Sequence, residues 1–320
     1  MMKNEMSRRE MLRNSSIALA TGGLTGAMSL SATGKQTLHA PNQHTSPCRV
    51  SLNTSTIRGY QLPVEQQIDL CAEAGFDGIE LWVSDVEAFI KQGGTAEDLR
   101  RRIREHGLVL ENMISFSTWI ADDPAQRTAG VKKMRQDMEL TARLGGAYIA
   151  APVQGVPAIV KQKLPEYSER YCVILEEGVQ ANVTPILELW GGGALHRLDD
   201  TAAIAIGAAH PNASLLLDFY HLYRGGNSFD SLRLLNGGVL PVFHINDYPA
   251  SIPREALEDA DRVFPGDGCC PFDKIMPILS AIGFRGAFSI ELFNKAYWES
   301  MDVMTLLKRS FEKTAAILHV

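Results

Sequence analysis

The sequence predicts a single (β/α)8 barrel, and three observations lead to that prediction. From residue 48 onward, short apolar runs alternate with segments of helical periodicity, and eight strand-then-helix units can be counted. Strict alternation is typical of a parallel sheet, and eight units favour closure into a barrel. An open dinucleotide-binding sheet is disfavoured because the segment SLNTSTIRGY, at the end of the first strand, lacks a glycine-rich phosphate turn.

The predicted strands are short apolar runs of the kind that a sheet buried on both faces requires. They are Arg49–Asn53, Gly78–Val83, Leu108–Ser115, Ala147–Pro152, Pro185–Trp190, Ser214–Asp218, Val242–Asp247 and Ala287–Leu292. The predicted helices between and after them are Val64–Ala74, Ala96–His106, Gly130–Leu144, Pro165–Ala181, Thr201–Ala209, Ser228–Leu235, Phe272–Ile282 and Asp302–Leu318. Several of these helices end beside a glycine, which is a common C-terminal stop signal.

Residues 1–40 resemble a twin-arginine export signal. The pair Arg8-Arg9 precedes an uncharged segment rich in Ala, Gly, Ser and Leu. A short membrane anchor is the alternative, but the apolar part, residues 17–30, is too short and too glycine-rich to span comfortably. We therefore predict cleavage and export to the bacterial periplasm, with no stable membrane span in the mature form. Residues 41–47 are predicted to be a linker and residues 48–320 the barrel domain.

Composition argues for an ordinary globular enzyme rather than a nucleic-acid-binding protein. Hydrophobic residues make up 45% of the chain, charged residues 21%, and the formal net charge is −6. Binding to a phosphate backbone depends on clustered Lys and Arg, and the sequence beyond the leader has no basic tract. The sequence therefore predicts no nucleic-acid partner.

Polar residues stand at the carboxyl ends of four consecutive predicted strands, where barrels of this kind carry their active sites. They are Glu188, Asp218 with His221, His244 and Glu291. Three carboxylates and one imidazole suit one hard or borderline divalent cation. Mn²⁺, Mg²⁺ and Co²⁺ are the first candidates and Zn²⁺ is a further one.

A short internal repeat supports a functional role for strand glutamates. It consists of Ile79-Glu80-Leu81-Trp82, Leu187-Glu188-Leu189-Trp190 and Ile290-Glu291-Leu292-Phe293. A glutamate inside an apolar strand is costly unless it is paired, hydrogen-bonded or bound to a cation. Glu80 could be a site residue, or it could be a core carboxylate that a neighbouring side chain satisfies. The sequence leaves both interpretations open.

The series ELW, DFYH, HIND and IELF resembles the xylose-isomerase-like superfamily of sugar isomerases and epimerases, most of all its ketose 3-epimerases and hydroxypyruvate isomerases. This resemblance implies a divalent metal held by Glu188, Asp218, His244 and Glu291. It also implies that Glu188 and Glu291 transfer protons through an enediolate, while His221 contacts the substrate. The implied activity is metal-dependent isomerisation or epimerisation of a small sugar or keto-sugar.

Further substrate contacts are predicted around these residues. Trp82, Trp119 and Trp190 are expected to supply apolar walls against the sugar. Asp247 is expected at the substrate, as a partner that fixes the tautomer of His244, or as a turn residue before a proline. After His244 the sequence departs from the epimerase pattern, which has an arginine a few residues on, and carries a longer insertion, residues 250–268. From it, Arg262 or Arg254 is expected to reach back to the site, unless the insertion is a surface loop.

Two other functions remain open on the same residues. The site could expel a leaving group, which would make the protein a lyase or a keto-glycoside-cleaving enzyme. A non-catalytic sugar-binding barrel is the alternative from a different class. The expected partner is a small sugar in each case, and a homo-oligomer is compatible with the sequence.

Overall fold

The computed structural model describes residues 48–318, which form a closed barrel of eight parallel strands in sequence order. The strands are β1 (Arg49–Asn53), β2 (Gly78–Trp82), β3 (Val109–Ile114), β4 (Tyr148–Pro152), β5 (Thr184–Glu188), β6 (Leu215–Asp218), β7 (Val242–Ile245) and β8 (Ala287–Ile290). The predicted barrel is confirmed, with each strand within two residues of its expected start or end. The predicted export signal and linker lie outside the described residues.

Helices cover the outside of the strands. They are α1 (Val64–Glu73), α2 (Val83–Lys91), α3 (Ala96–Glu105), α4 (Pro124–Leu144), α5 (Leu164–Ala181), α6 (Leu198–Gly207), α7 (Phe219–Arg224), α8 (Phe272–Ala281), α9 (Lys295–Ser300) and α10 (Val303–Leu318). The sequence did not predict α2, α7 and α9. Each follows a strand at its carboxyl end and lies near the barrel mouth. Within the described residues no helix is long and apolar enough to cross a membrane.

Two apolar layers hold the strands in place. The larger one packs the outer faces of the strands against the helices and includes Ile68, Leu99, Met138 and Ile275. The smaller one lies inside the barrel and consists of Ile114, Ala150, Ile186, Leu216 and Val242. Because successive side chains of a strand alternate between faces, residues two positions beyond this inner layer point toward the barrel mouth.

The chain after β6 differs from the prediction. A helix was expected at residues 228–235, but the first helical turn begins directly after the strand as α7, and residues 229–234 form only a 3-10 turn. Asp218 explains the early start, because its side chain accepts a hydrogen bond from the backbone N–H of His221 at 2.9 Å. The same residue therefore ends the strand and begins the helix, which fixes the position of His221.

Candidate active site

Three of the four predicted metal ligands meet at the carboxyl ends of adjacent strands. Asp218 ends β6 and is paired in register with His244 of β7, while Glu291 follows β8. Each offers a ligand atom, and these atoms lie within 4.8 Å of one another. All three side chains are buried. The site therefore contains a compact carboxylate–imidazole–carboxylate triad.

The fourth predicted ligand, Glu188, ends β5 beside this triad and lines the same cavity. It is 5% exposed, and its Oε2 has no hydrogen-bond partner among the described residues. Burial raises the pKa of Glu188 to about 8, although His244 acts in the opposite direction. A buried carboxylate oxygen without a partner requires an explanation, and a cation or a substrate group would provide one.

His244 is held from below by a glutamate of the internal repeat. Its Nε2 lies 3.1 Å from Oε1 of Glu80, whose Oε2 accepts a hydrogen bond from Asn112 at 2.7 Å. A carboxylate accepts, so Nε2 is the donor, and Nδ1 is the ring nitrogen left for a metal, which binds there once that nitrogen has lost its proton. Nδ1 makes no hydrogen bond to any described residue and lies 3.2 Å from Oε2 of Glu291. Burial lowers the pKa of His244, but Glu291 and Glu80 outweigh burial and raise it well above its usual value.

Glu291 is held by hydrogen bonds to both of its carboxylate oxygens. Its Oε1 accepts a hydrogen bond from Asn53 Nδ2 at 3.0 Å, and its Oε2 accepts one from Arg262 Nη1 at 2.6 Å. Burial would raise the pKa of Glu291, but His244 and Arg262 hold it below its ordinary value. Glu188 and Glu291 therefore have pKa values shifted in opposite directions, which is typical of a pair that divides acid and base roles.

Arg262 enters the site from the insertion after β7 and is 1% exposed. Besides Glu291 it reaches Oδ2 of Asp218 at 3.2 Å, and its Nη2 lies 3.2 Å from Nε2 of His221. Oδ1 of Asp259, in the same insertion, accepts a hydrogen bond from Nη2 of Arg262 at 2.6 Å.

The insertion is therefore part of the site, and Arg262 rather than Arg254 reaches back to it. Arg254 pairs with its neighbour Glu255 at 2.7 Å on the surface.

His221 lines the cavity beside this arginine. Burial lowers its pKa to about 4, so the ring is neutral at physiological pH. Because Arg262 can only donate, Nε2 of His221 accepts and Nδ1 carries the hydrogen. That Nδ1 is buried without a hydrogen-bond partner among the described residues, so it is a donor available to a ligand.

The donor set fits a divalent cation. Carboxylates and a neutral imidazole are ligands for Mn²⁺, Mg²⁺, Co²⁺ and Zn²⁺ alike. Glu188 Oε2 and His244 Nδ1 are buried polar atoms that no hydrogen bond satisfies within residues 48–318. A second set of residues supports the ligands, as metal sites require. Glu80 holds His244, Asn53 holds Glu291, and Asn246 donates to Oδ2 of Asp218 at 2.9 Å.

Four aromatic side chains form one wall of the cavity above these polar groups. Trp82, Trp190 and Phe293 each stand two residues after a glutamate of the repeat. Trp82 lies on the same face of β2 as Glu80, while Trp190 and Phe293 lie just beyond the ends of β5 and β8. Phe116 completes the wall, with ring centroids 4.9 Å from Trp82 and 6.0 Å from Trp190. Trp119, which was expected here, is fully buried and its Nε1 donates to a backbone carbonyl at 3.0 Å. Trp119 is therefore a core residue.

Asp247 does not line the cavity, and its carboxylate is turned into the loop that follows β7. Its two oxygens accept hydrogen bonds from the backbone N–H groups of Tyr248, Gly266, Gly268 and Cys270, at 2.8–3.0 Å. An antiparallel bridge to Val263 joins the same segments. Asp247 therefore does not face the cavity in which a substrate contact was expected, and Glu80 rather than Asp247 orients His244. Asp247 shapes the insertion that carries Arg262.

Asp247→Asn is expected to lower the free energy of unfolding by about 1–3 kcal/mol, because an amide sets N–H groups against two of the backbone donors. Urea denaturation measures the change. Asp267→Asn is the matched control, since Asp267 pairs with Lys313 at the surface and its loss should cost less than about 0.5 kcal/mol. Equal losses in the two variants would show that the four backbone contacts of Asp247 contribute no more to the free energy of unfolding than a surface ion pair does.

Comparison with known proteins places this arrangement in a family. A family model described as a xylose isomerase-like TIM barrel matches residues 68–312. The chain belongs to the xylose isomerase-like TIM barrel family. An inosose isomerase of Bacillus velezensis is 26% identical over 263 residues, which cover 80% of this chain and 92% of that protein. A 3-dehydroshikimate dehydratase of Pseudomonas aeruginosa is 24% identical over 241 residues, which cover 72% of this chain and 36% of that protein.

A solved structure has the same fold. The IolI protein, solved with a binding zinc atom, superposes with a TM-score of 0.78 at 21% identity, covering 84% of this chain and 98% of that one. In this chain the strand-end triad of Asp218, His244 and Glu291 could hold such an ion.

Proposed function

We propose that this protein is a divalent-metal-dependent isomerase of polyhydroxy ketones, which moves a carbonyl group or inverts a neighbouring hydroxyl by proton transfer. The observation that carries the proposal is the pair Glu188 and Glu291. The two buried carboxylates enter one cavity from strands three apart, and their pKa values are shifted in opposite directions. The inosose isomerase relative supports the substrate class, because an inosose is a cyclic polyhydroxy ketone.

Glu188, Asp218, His244 and Glu291 would hold the metal, which when bound polarises the substrate's carbonyl and hydroxyl oxygens and acidifies the C–H next to the carbonyl. Glu291, which enters the site at the end of β8, would take the proton from that carbon. Glu188, which enters the same cavity at the end of β5, would return a proton. The neutral His221 would donate its Nδ1–H to a substrate oxygen, and Arg262 would offer the adjacent hydroxyl its Nε–H, which has no partner among the described residues. No atom is gained or lost, so product and substrate have the same mass.

Product analysis tests this proposal. Metal-loaded protein would be incubated with inososes and with linear ketoses, and the products separated and weighed by mass spectrometry. We expect a new isomer of unchanged mass from at least one of these ketones. If every ketone that binds is returned unaltered, the isomerase proposal is wrong and a binding role takes its place.

A second candidate, a dehydratase or other lyase, is supported by the dehydratase relative. The same proton removal would then be followed by loss of a group on the next carbon. The same mass measurement separates the two reactions, because loss of water or of a glycosyl group lowers the mass of the ketone product. Export to the periplasm and the oligomeric state remain predictions from the sequence.

Replacing Glu80 tests whether it prepares His244 for a metal. We expect Glu80→Gln to weaken Mn²⁺ or Zn²⁺ binding by about 10–100-fold, because an amide no longer fixes the tautomer of the ligand. Isothermal titration calorimetry measures the affinity. The matched control is Glu111→Gln, a buried glutamate of β3 that pairs with Arg49 at 2.9 Å instead of with His244. Equal weakening in both variants would point to general loosening of the barrel.

A further inference from the structure

The cavity extends well beyond the polar groups that the proposed reaction needs. Its volume is about 690 Å³, in the middle of the range of about 300–1,000 Å³ that holds drug-sized ligands. The reacting groups occupy only its inner end, where Glu188, His221 and Glu291 converge. The outer part has no role in proton transfer, so its shape and chemistry indicate what else the ligand carries.

One side of this outer part is an aromatic wall, defined as Trp82, Phe116, Trp190 and Phe293. Phe116 is 46% exposed, although it is a large apolar residue in a well-packed protein. Exposed apolar side chains gathered on a concave surface mark a binding site more often than isolated ones do. The wall is thus accessible to a ligand instead of being buried core.

The aromatic wall is fixed in orientation relative to the reacting carboxylates. Trp82 donates its indole N–H to Oδ1 of Asn53 at 3.3 Å, and Asn53 in turn donates to Glu291 at 3.0 Å. Arg58 lies over the ring of Trp82, 3.8 Å from its centroid. At the other end, the Trp190 ring lies 6.4 Å from that of His221 at an interplanar angle of 31°. A ligand that extends outward from the inner end therefore lies along this wall.

Polar side chains also line the outer cavity. They are Gln154, Arg224 and Glu258, from the loop after β4, the end of α7 and the insertion after β7. A space lined by both aromatic and hydrogen-bonding side chains matches a sugar ring, which has an apolar C–H face and polar edges. A purely aromatic substituent would leave these polar side chains without partners.

We propose that the outer cavity is a subsite for a second sugar ring, so that the preferred ligand is a glycosyl-substituted ketose rather than a free monosaccharide. The second ring stacks on the aromatic wall with Phe116 at its centre, and its hydroxyls face Gln154, Arg224 and Glu258. This inference rests on the proposed function for the identity of the ring bound at the inner end. It adds the substrate class, a ketose joined to another sugar.

Equilibrium binding tests the subsite without requiring turnover. Calorimetry on the metal-loaded full-length protein would compare D-fructose, the keto-disaccharides maltulose and isomaltulose, and phenyl β-glucoside. We expect at least one keto-disaccharide to bind about tenfold more tightly than fructose, a difference of about 1.4 kcal/mol, because its second ring stacks on the aromatic wall. Phe116→Ala should reduce that advantage to about twofold or less, and Phe116→Tyr, which keeps the ring, should preserve it.

The control variant is Leu234→Ala, since Leu234 is 89% exposed and lies outside the cavity. It should leave the affinity ratio unchanged. The subsite is overturned if neither disaccharide binds more tightly than fructose, if Phe116→Ala weakens fructose and disaccharide alike, or if no probe binds. Tighter binding of phenyl glucoside than of both disaccharides would overturn the sugar-ring assignment in favour of an aromatic substituent. A subsite that binds but never yields an isomer would leave this inference standing while the proposed function fails.

Discussion

Glu188→Gln is expected to lower kcat by about 10²–10⁴-fold while the protein keeps its metal. Glutamine retains an oxygen that can coordinate a cation, but it can neither carry nor return a proton, and general acid–base catalysis of that kind contributes about this much. The effect should be large because the side chain is buried, so bulk water cannot easily replace it. Steady-state kinetics with the ketone that the product assay identifies would measure kcat, and elemental analysis of the same sample would measure the metal.

Glu97→Gln provides the matched control, because it makes the same chemical change at an exposed glutamate that pairs with Arg143 on the surface. It should leave kcat within about twofold, as surface substitutions commonly do. If Glu188→Gln kept wild-type kcat, proton transfer by Glu188 would be refuted. If it lost both the metal and the rate, Glu188 would be a ligand whose role in proton transfer is unproven.

Asp218 and His221 lie only three positions apart, yet their substitutions are expected to affect different quantities, metal affinity and kcat. Asp218→Asn should weaken divalent-metal binding by at least about 100-fold, since the site loses a charged ligand while the buried Arg262 loses one of its counter-charges. His221→Ala should keep metal affinity within about threefold but lower kcat, because His221 is not a proposed ligand and its partnerless Nδ1–H is the proposed donor to the substrate. Calorimetric titration with Mn²⁺ gives the first quantity and steady-state kinetics the second.

Asp218 has a structural role besides its proposed role as a metal ligand. Asp218 also accepts the backbone N–H of His221 at the start of α7, and asparagine keeps this bond only if its amide oxygen takes the place of Oδ1. Circular dichroism and the unfolding midpoint of both variants distinguish loss of a ligand from loss of the helix. Equal metal loss from Asp218→Asn and His221→Ala, in folded proteins, would contradict the division of roles.

The sequence predicted the parts of the site that follow a strand. Alternation of strands and helices defines the barrel, and each glutamate of the repeat is followed two positions later, one period of a strand, by an aromatic residue. This is why Trp82 and Trp190 line the cavity as expected. Phe116 also lines the cavity and stands two residues beyond Ile114 of the inner layer. It was not predicted, because no glutamate of the repeat precedes it.

The remaining residues could not be predicted because they depend on loops and on side-chain direction. Arg262 could only be narrowed to one of two arginines, since the insertion has no periodic pattern to show which one turns inward. Asp247 follows a strand like a site residue, yet the loop folds over it and its carboxylate faces backbone N–H groups. Asn53 and Asn246 support ligands through amide contacts that only a three-dimensional structure reveals.

Exchange with solvent deuterium is the most direct test of the central claim, that a metal held by the strand-end residues enables proton transfer next to a ketone. Metal-loaded protein would be incubated with an inosose in D₂O, and deuterium at the carbon beside the carbonyl followed by NMR. We predict exchange above the uncatalysed background, its loss after chelation, and its return when Mn²⁺ is restored. Exchange that continues undiminished after the metal is removed, or that never occurs with the metal bound, would contradict the claim.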